Sequence, residues 1–417
     1  MPGERDKATT VLSMVGLPAR GKTYIGRRVA RYLSWLGHPT RVFNVGSYRR
    51  RQIGASQPAD FFAPTNKEGR QVLHDLAMTA LDDMLAWLRE GGEVGIFDAT
   101  NSTKERRRLV EERCRKEGLP VVFIESFCND PGVIEANVRD TKLKSPDYVD
   151  MDPDAAAQDF LRRIAHYESM YETLDDPNQS YIKIIDVGRQ VILNRIHGYL
   201  PARLAPLLID LHVSPRPIWL TRHGQSDYNR HGRIGGDPEL SPAGEEYAKH
   251  LAEFVRKNAP RDQEVAVWTS TLRRTIHTAT KITRSPRTWR ALDEIDAGVC
   301  DGMTYDQVRI EMPDVWAARS ADKFRYRYPR GESYEDVIQR LDPVIIQLER
   351  QRSPTLVIAH QAVLRAIYAY LMDRPPGECP SISVPLHTVI QLTPTAYGCE
   401  EKRFALPPYV EDQGAGG

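Results

Sequence analysis

The sequence predicts an α/β protein of two domains, and three observations lead there. Short β-branched runs alternate with longer segments of helical period through the first half. A second alternating series begins after the proline-containing break SPRP (Ser214–Pro217). The 417 residues also exceed what a single hydrophobic core comfortably serves.

Taken in order, VLSMV, VFNV, VGIF, VVFIESF and YIKIIDV read as buried strands, being apolar and β-branched with little polar alternation. Between them, NKEGRQVLHDLAMTALDDMLAWLRE sets Leu73, Leu76, Ala80, Leu81, Met84, Leu85 and Leu88 on one helical face and stops at Gly91-Gly92. Strand, helix and strand repeated this way imply a mostly parallel sheet with helices on both faces. A helix is expected from roughly Gln190 to Leu211. The second series then runs through IWL, VAVW, LVIA and VIQL, again with helical spacers. The boundary is placed near Ser214, giving domains 1–213 and 214–417, and the terminal EDQGAGG reads as a disordered tail.

A net charge of +1 supplies no global field for nucleic acid or an anionic membrane. The local clusters SYRRR and KERRR read, on composition alone, as solvated helix faces. The five cysteines contain no CxxC pair, which argues against a disulfide framework or zinc site and suits a reducing compartment. The polar MPGERDKATT does not read as a signal peptide, and no apolar run approaches the roughly 20 residues a membrane span needs. A cytoplasmic location is expected.

Gly16 to Thr23, GLPARGKT, fits G-x-x-x-x-G-K-[ST] between a predicted strand and a predicted helix. In such a loop backbone N–H groups and a helix N-terminus cradle phosphate, Lys22 reaches the terminal phosphates, and Thr23 binds magnesium. IFDATN ends a strand in Asp98, where a metal-shell or base carboxylate belongs, although a cap for the next helix is the other reading. Arg49, Arg50 and Arg106 fall at the sheet edge, and guanidinium groups there suit an acceptor already carrying phosphate.

Arg222-His223-Gly224 closes another predicted strand. Arg274, Glu294 and His360 supply the partners that phosphoryl transfer to an imidazole requires. His223 attacks phosphorus, Arg222, Arg274 and His360 hold the developing charge, and Glu294 protonates the leaving oxygen and later activates water. His360 also fits a satisfied core histidine. No metal is required, since cations already supply charge. ADKFRYRYPRGESY (Ala321–Tyr334) reads as a loop gripping a remote phosphate, or, by itself, as a nucleic-acid surface.

Together GLPARGKTY, FNVGSYRR, FDATN, KLKSPDY, SYIKIIDVG, RHGQSDYN, GRIGGDPELS, EIDAGVC, RYRYPRGESYEDV and HQAVLRAI closely resemble the bifunctional 6-phosphofructo-2-kinase/fructose-2,6-bisphosphatase family, from about Val11 to about Cys399. The resemblance implies a P-loop kinase-like sheet followed by a phosphoglycerate-mutase-like histidine phosphatase. One half would make fructose 2,6-bisphosphate from ATP and fructose 6-phosphate, and the other would hydrolyse it. It implies Lys22, Asp98, Cys128 and Lys142 in the kinase chemistry. ATP would lie against Gly16, Leu17, Pro18, Ala19, Arg20, Gly21, Lys22, Thr23, Tyr24, Asn137 and Lys142, with Mg2+ on Thr23 and Asp98. Fructose 6-phosphate would meet Arg49, Thr100, Arg106, Lys142, Arg163 and Tyr167. The bisphosphate would lie among Arg222, Asn229, Gly235, Arg274, Glu294, Tyr305, Arg319, Lys323, Tyr334, Gln361 and Arg365, around His223. No cofactor is implied for the phosphatase, no nucleic acid or membrane partner is expected, and a homodimer is.

Two departures stand out. Leu73 occupies a position where the family often has arginine, with Arg70 one turn earlier, and Gln225 replaces the glutamate of RHGES. The alternatives are a catalytically weak sensor of ATP or sugar phosphate and a nucleic-acid end-processing kinase-phosphatase.

Overall fold

The computed structural model describes residues 9–139, 145–210, 216–395 and 398–410. Lys142, the expected boundary at Ser214 and the tail 411–417 lie outside them. The chain divides into two compact units, Met1–Ser34 with His38–His212 and Trp35–Gly37 with Val213–Gly417.

In the first unit β1 (Thr10–Val15), β2 (Thr40–Asn44), β3 (Val94–Asp98), β4 (Val121–Phe127), β5 (Tyr181–Ile185) and β6 (Gln190–Asn194) form a sheet of order β2-β3-β1-β4-β5-β6. All pairs are parallel except β5 with β6. β1 is buried along its whole length, as its largely apolar sequence suits. The helix Lys67–Arg89 starts where the Asn66 side chain accepts the Gly69 N–H. It buries Ala77, Ala80, Leu81, Met84, Leu85 and Leu88 against Val11, Phe43 and Phe97. Each buried leucine or methionine contributes about 1.5–3 kcal/mol of transfer free energy. Leu73 is only half-buried.

The expected helix from Gln190 is corrected. Asp186, Val187 and Gly188 take φ of 47, 57 and 87°, reversing the chain so that Gln190–Asn194 returns as the edge strand β6. The helix begins only at Tyr199 and runs to Asp210. Apolar residues in so short a segment suit either period, and pairing with β5 decides between them.

The second unit has β7 (Ile218–Arg222), β8 (Ala266–Thr269), β9 (Arg287–Thr288), β10 (Thr355–Ala359), β11 (Thr388–Pro394) and β12 (Cys399–Ala405), in the order β12-β11-β7-β10-β8-β9. β7, β10, β8 and β9 run parallel, while β11 opposes β7 and β12. Trp219, Tyr247, Leu251, Phe254, Leu356 and Ile358 share one core cluster on this sheet. Parallel strands align their carboxyl ends, so β1, β3 and β4 in one unit, and β7, β10 and β8 in the other, each deliver side chains to a single edge. Among the described residues no helix is long and apolar enough to cross a membrane.

Candidate active sites

The loop after β1 is built to wrap an anion. Gly16 has φ 139°, and a Cβ there would lie 2.5 Å from the Ser126 carbonyl oxygen, so the close approach of β4 demands glycine. Ala19 and Gly21 also take positive φ, at 58 and 83°. Asn137 Nδ2 donates to the Ala19 carbonyl at 3.1 Å, Arg20 Nε to the Cys128 carbonyl at 2.5 Å, and Ser126 Oγ to the Arg20 carbonyl. These bonds hold the loop curled above the helix Lys22–Trp35. Lys22 is buried, its Nζ 2.6 Å from the Leu17 carbonyl, a position from which the stem can swing towards phosphate. The Cys128 thiol is pushed up by burial, so it stays protonated near neutral pH.

Asp98 is 3% exposed at the end of β3, its Oδ2 accepting from Asn44 Nδ2 at 2.5 Å. The following helix is capped by the Thr103 hydroxyl, so Asp98 does not serve as the cap. A hydroxyl and a carboxylate are the hard oxygen donors magnesium takes, with phosphates and water completing its shell.

An arginine cluster gathers in the same unit. Arg49 is 2% exposed and bonds both Asp147 oxygens at 2.6 Å. Arg50 and Arg163 reach the same carboxylate at 3.6 and 3.9 Å. Arg163 stacks 3.7 Å over Phe62, whose ring lies 6.2 Å from that of Tyr167. Arg106 donates to His74 Nδ1 at 3.0 Å, while its buried Nη1 has no hydrogen-bond partner. Arg70 is exposed. The Gly16 N–H donates to the Thr100 carbonyl at 3.0 Å, tying the loop after β3 to the loop after β1. Asp147, Phe62 and His74 were not assigned from the sequence, although Asp147 lies within KLKSPDY and His74 within the helical stretch from Asn66.

In the second unit Arg222, His223, Arg274 and Glu294 line one cleft, with Asn229 and Gly235 on one wall. Tyr305, Arg319, Lys323, Tyr334, Gln361 and Arg365 line the rest. His223 follows β7, and the next residue must be glycine because a Cβ at Gly224 would lie 2.5 Å from the Gly244 carbonyl oxygen. His223 Nδ1 lies 2.7 Å from the Gly224 carbonyl, and its Nε2 accepts from Arg274 Nε at 3.1 Å. Burial, then Arg274 and Arg222, hold this imidazole well below its ordinary pKa, so it is neutral and nucleophilic. Arg274 also donates to the Gly236 carbonyl at 2.6 Å and to His360 Nδ1 at 3.2 Å.

His360 is fully buried and does not line the cleft. Its Nε2 meets Ser270 Oγ at 2.8 Å, so the ring braces Arg274 from behind. Burial and the same arginine keep it neutral as well. Its ring centroid lies 5.1 Å from that of His223, so it sits beside the imidazole as well as behind Arg274.

Arg319 Nε donates to Tyr328 at 2.8 Å, and Arg365 Nη1 to Tyr334 at 3.1 Å. Lys323, crowded by burial and then by Arg319 and Arg365, has its pKa pulled down to about 8. In the RYRY run Tyr326 and Tyr328 face the cleft, while exposed Arg325 and Arg327 pair with Asp322 and Asp336 instead. Tyr228, Arg233 and the RYRY tyrosines complete a lining that sequence reading had not assigned. Gln225 accepts from Ser241 Oγ at 2.9 Å through Oε1 and stands outside the lining, so the exchange leaves the cleft's own charges unchanged.

The chain was compared with known proteins. The family 6-phosphofructo-2-kinase matches residues 2–215, and the histidine phosphatase superfamily (branch 1) matches residues 218–406. A 6-phosphofructo-2-kinase/fructose-2,6-bisphosphatase of Arabidopsis thaliana is 51% identical over 97% of this chain, which spans 55% of that relative's length. Form 4 of the same enzyme from Rattus norvegicus is 50% identical, covering 95% of this chain and 85% of the relative. Among solved structures, a mycobacterial glucosyl-3-phosphoglycerate phosphatase complexed with VO3 covers 46% of this chain and 98% of its own, at 27% identity and a TM-score of 0.40.

Proposed function

The chain belongs to the bifunctional 6-phosphofructo-2-kinase/fructose-2,6-bisphosphatase family, joining a kinase to a histidine phosphatase. From that premise we propose that it both makes and hydrolyses fructose 2,6-bisphosphate and so sets the level of a regulator of glycolysis and gluconeogenesis. Residues 1–213 carry the synthesis and 214–417 the hydrolysis.

In synthesis the 2-hydroxyl oxygen of fructose 6-phosphate attacks the γ-phosphorus of ATP. The bond to the bridging oxygen breaks, and ADP leaves with the electron pair. The curled loop and Lys22 hold the phosphates. Arg49, Arg106 and Arg163 take the sugar's 6-phosphate, with Thr100 and Tyr167 beside it. Asp98 supplies a carboxylate for a magnesium ion, shared with Thr23, or for the departing hydroxyl proton. Bound there, magnesium would neutralise charge on the phosphate oxygens. Lys142 and Asn137 complete the nucleotide side, and Cys128 borders it through its backbone.

In hydrolysis His223 Nε2 attacks the 2-phosphate. The phosphorus–oxygen bond breaks, and the sugar oxygen takes a proton from Glu294. Water then attacks the phosphohistidine, its proton passes to Glu294, and the nitrogen–phosphorus electron pair returns to the imidazole. Arg222 and Arg274 hold the charge on the transferring group. Arg319, Lys323 and Arg365 suit the 6-phosphate. A cytoplasmic homodimer is part of the same proposal, supported by family resemblance.

The convergence of Arg222, His223, Arg274 and Glu294 on one cleft carries this reading. Incubation with fructose 2,6-bisphosphate labelled in the 2-phosphate tests it: label should appear on the protein and be absent from His223→Ala. An oligonucleotide phosphate that labels His223 as fast as the sugar does would overturn it.

A further inference from the structure

We infer that Arg340 is a positioning residue for the hydrolysis, clamping the loop that presents Glu294, with Glu332 as its counter-ion. The inference rests on the histidine-phosphatase reading above. Arg340 lies on the helix Tyr334–Arg350, and neither it nor Glu332 lines the cleft. Its Nη1 donates to the Ala291 carbonyl at 2.5 Å, and its Nη2 to those of Asp293 and Glu294 at 2.8 and 3.2 Å. Nε and Nη2 also meet the two Glu332 oxygens at 2.8 and 3.1 Å.

Glu332 closes the clamp from the other side. Its Oε2 accepts the Asp296 N–H at 3.0 Å, and its own N–H donates to the Asp296 carbonyl at 2.9 Å. One ion pair thus holds the chain on both sides of Glu294. The pair is half-buried, at 22 and 25% side-chain exposure, and bidentate, unlike a loose surface contact.

The Glu294 carboxylate depends on this loop for its aim. Its Oε1 accepts the N–H of the next residue, Ile295, at 2.9 Å, so the loop backbone and the carboxylate move together. A proton donor must sit within hydrogen-bond reach of the leaving oxygen, and a displacement of about 1 Å can cost on the order of a hundredfold in rate. Arg340 fits the task because its planar fork engages three carbonyls and a carboxylate at once. A lysine ammonium, being a single point charge, does not.

The test compares Arg340→Met, Arg340→Lys, Glu294→Gln and the Glu294→Gln/Arg340→Met double variant in the full chain. Arg340→Met should lower kcat for the bisphosphate roughly tenfold to a hundredfold while KM stays within about twofold. Arg340→Lys should recover only a minor part. Phosphorylation of His223 should slow with fructose 2,6-bisphosphate yet remain close to wild type with p-nitrophenyl phosphate, whose phenolate leaves without a proton. The double variant should be no slower than Glu294→Gln, since Arg340 acts through that carboxylate.

A folded Arg340→Met with unchanged kcat, equal slowing for both leaving groups, or losses that multiply in the double variant would each overturn the inference. Circular dichroism reports folding; should Arg340→Met fail to fold, Glu332→Gln is read against the same outcomes. If the wild-type protein takes no label from fructose 2,6-bisphosphate, the reaction assignment fails instead. The clamp is then decided by the same leaving-group comparison, with glycerol 2-phosphate as the poor leaving group.

Discussion

Arg274 donates from Nε to His223 Nε2 across 3.1 Å, and this bond fixes which imidazole nitrogen holds the free lone pair. A guanidinium can only donate, so Nε2 carries the lone pair and Nδ1 carries the proton it gives to the Gly224 carbonyl. Arg274→Met should therefore lower kcat for hydrolysis by roughly 10²–10³, because it removes both the aiming bond and a cation at the transferring group. Arg274→Lys should restore little, since one ammonium cannot serve His223, Gly236 and His360 together. Rapid-quench measurement of labelled phosphohistidine checks both.

Stability should fall in mild acid. His223 and His360 are held neutral in the native state, with pKa values depressed by burial and neighbouring arginines. Below about pH 6.5 the unfolded chain takes up protons that the native state refuses, so stability declines by about 1 kcal/mol per pH unit for each histidine. Urea unfolding at pH 5.5 and 7.5 should show a shallower loss in His360→Gln than in the wild type.

Lys323 should limit hydrolysis on the alkaline side. Its pKa of about 8 means that the cation is present at pH 7 and mostly gone by about pH 9. The KM for fructose 2,6-bisphosphate should rise roughly fivefold over that interval as one charge-assisted contact is lost. Lys323→Arg should flatten the rise, and a KM–pH profile of both proteins decides the matter.

The two reactions should separate cleanly. Lys22→Ala should abolish synthesis and leave hydrolysis within about twofold, while His223→Ala does the reverse, because each residue serves chemistry contained in its own unit. Paired assays with ATP plus fructose 6-phosphate and with the bisphosphate measure this. Loss of both activities in either folded variant would refute two independent sites.

Leu73→Arg should strengthen fructose 6-phosphate binding. Leu73 is half-buried on the helix that also places His74 against Arg106, so a guanidinium there adds charge beside the existing cluster. A fall in KM for fructose 6-phosphate of roughly threefold to tenfold is expected, with KM for ATP unchanged. Steady-state kinetics with each substrate varied checks the selectivity of the effect.

Much of this was legible in the chain. The G-x-x-x-x-G-K-T spacing pointed to a phosphate loop because glycines tolerate tight, left-handed backbone, and Gly16, at φ 139° beneath the Ser126 carbonyl, adopts it. The strands lying in fully buried sheets were readable from apolar runs alone. Harder to read were β6 and the two-residue β9, short edge elements whose pairing partners, and not their own periodicity, make them strands. Tyr326 and Tyr328 escaped assignment because the alternation of RYRY fits a stacking surface as well as a cleft wall.

Residue types after strand ends pointed to the phosphate loop and to Arg222, His223, Arg274, Glu294 and His360, while most of the remaining cleft lining was implied by the family resemblance. Folding alone decided the rest. It put His360 behind Arg274 and chose Nε2 over Nδ1. It also brought Arg340, distant in sequence, onto the Glu294 loop. Hydrogen-bond direction and close packing are relations between segments, and no single segment encodes them.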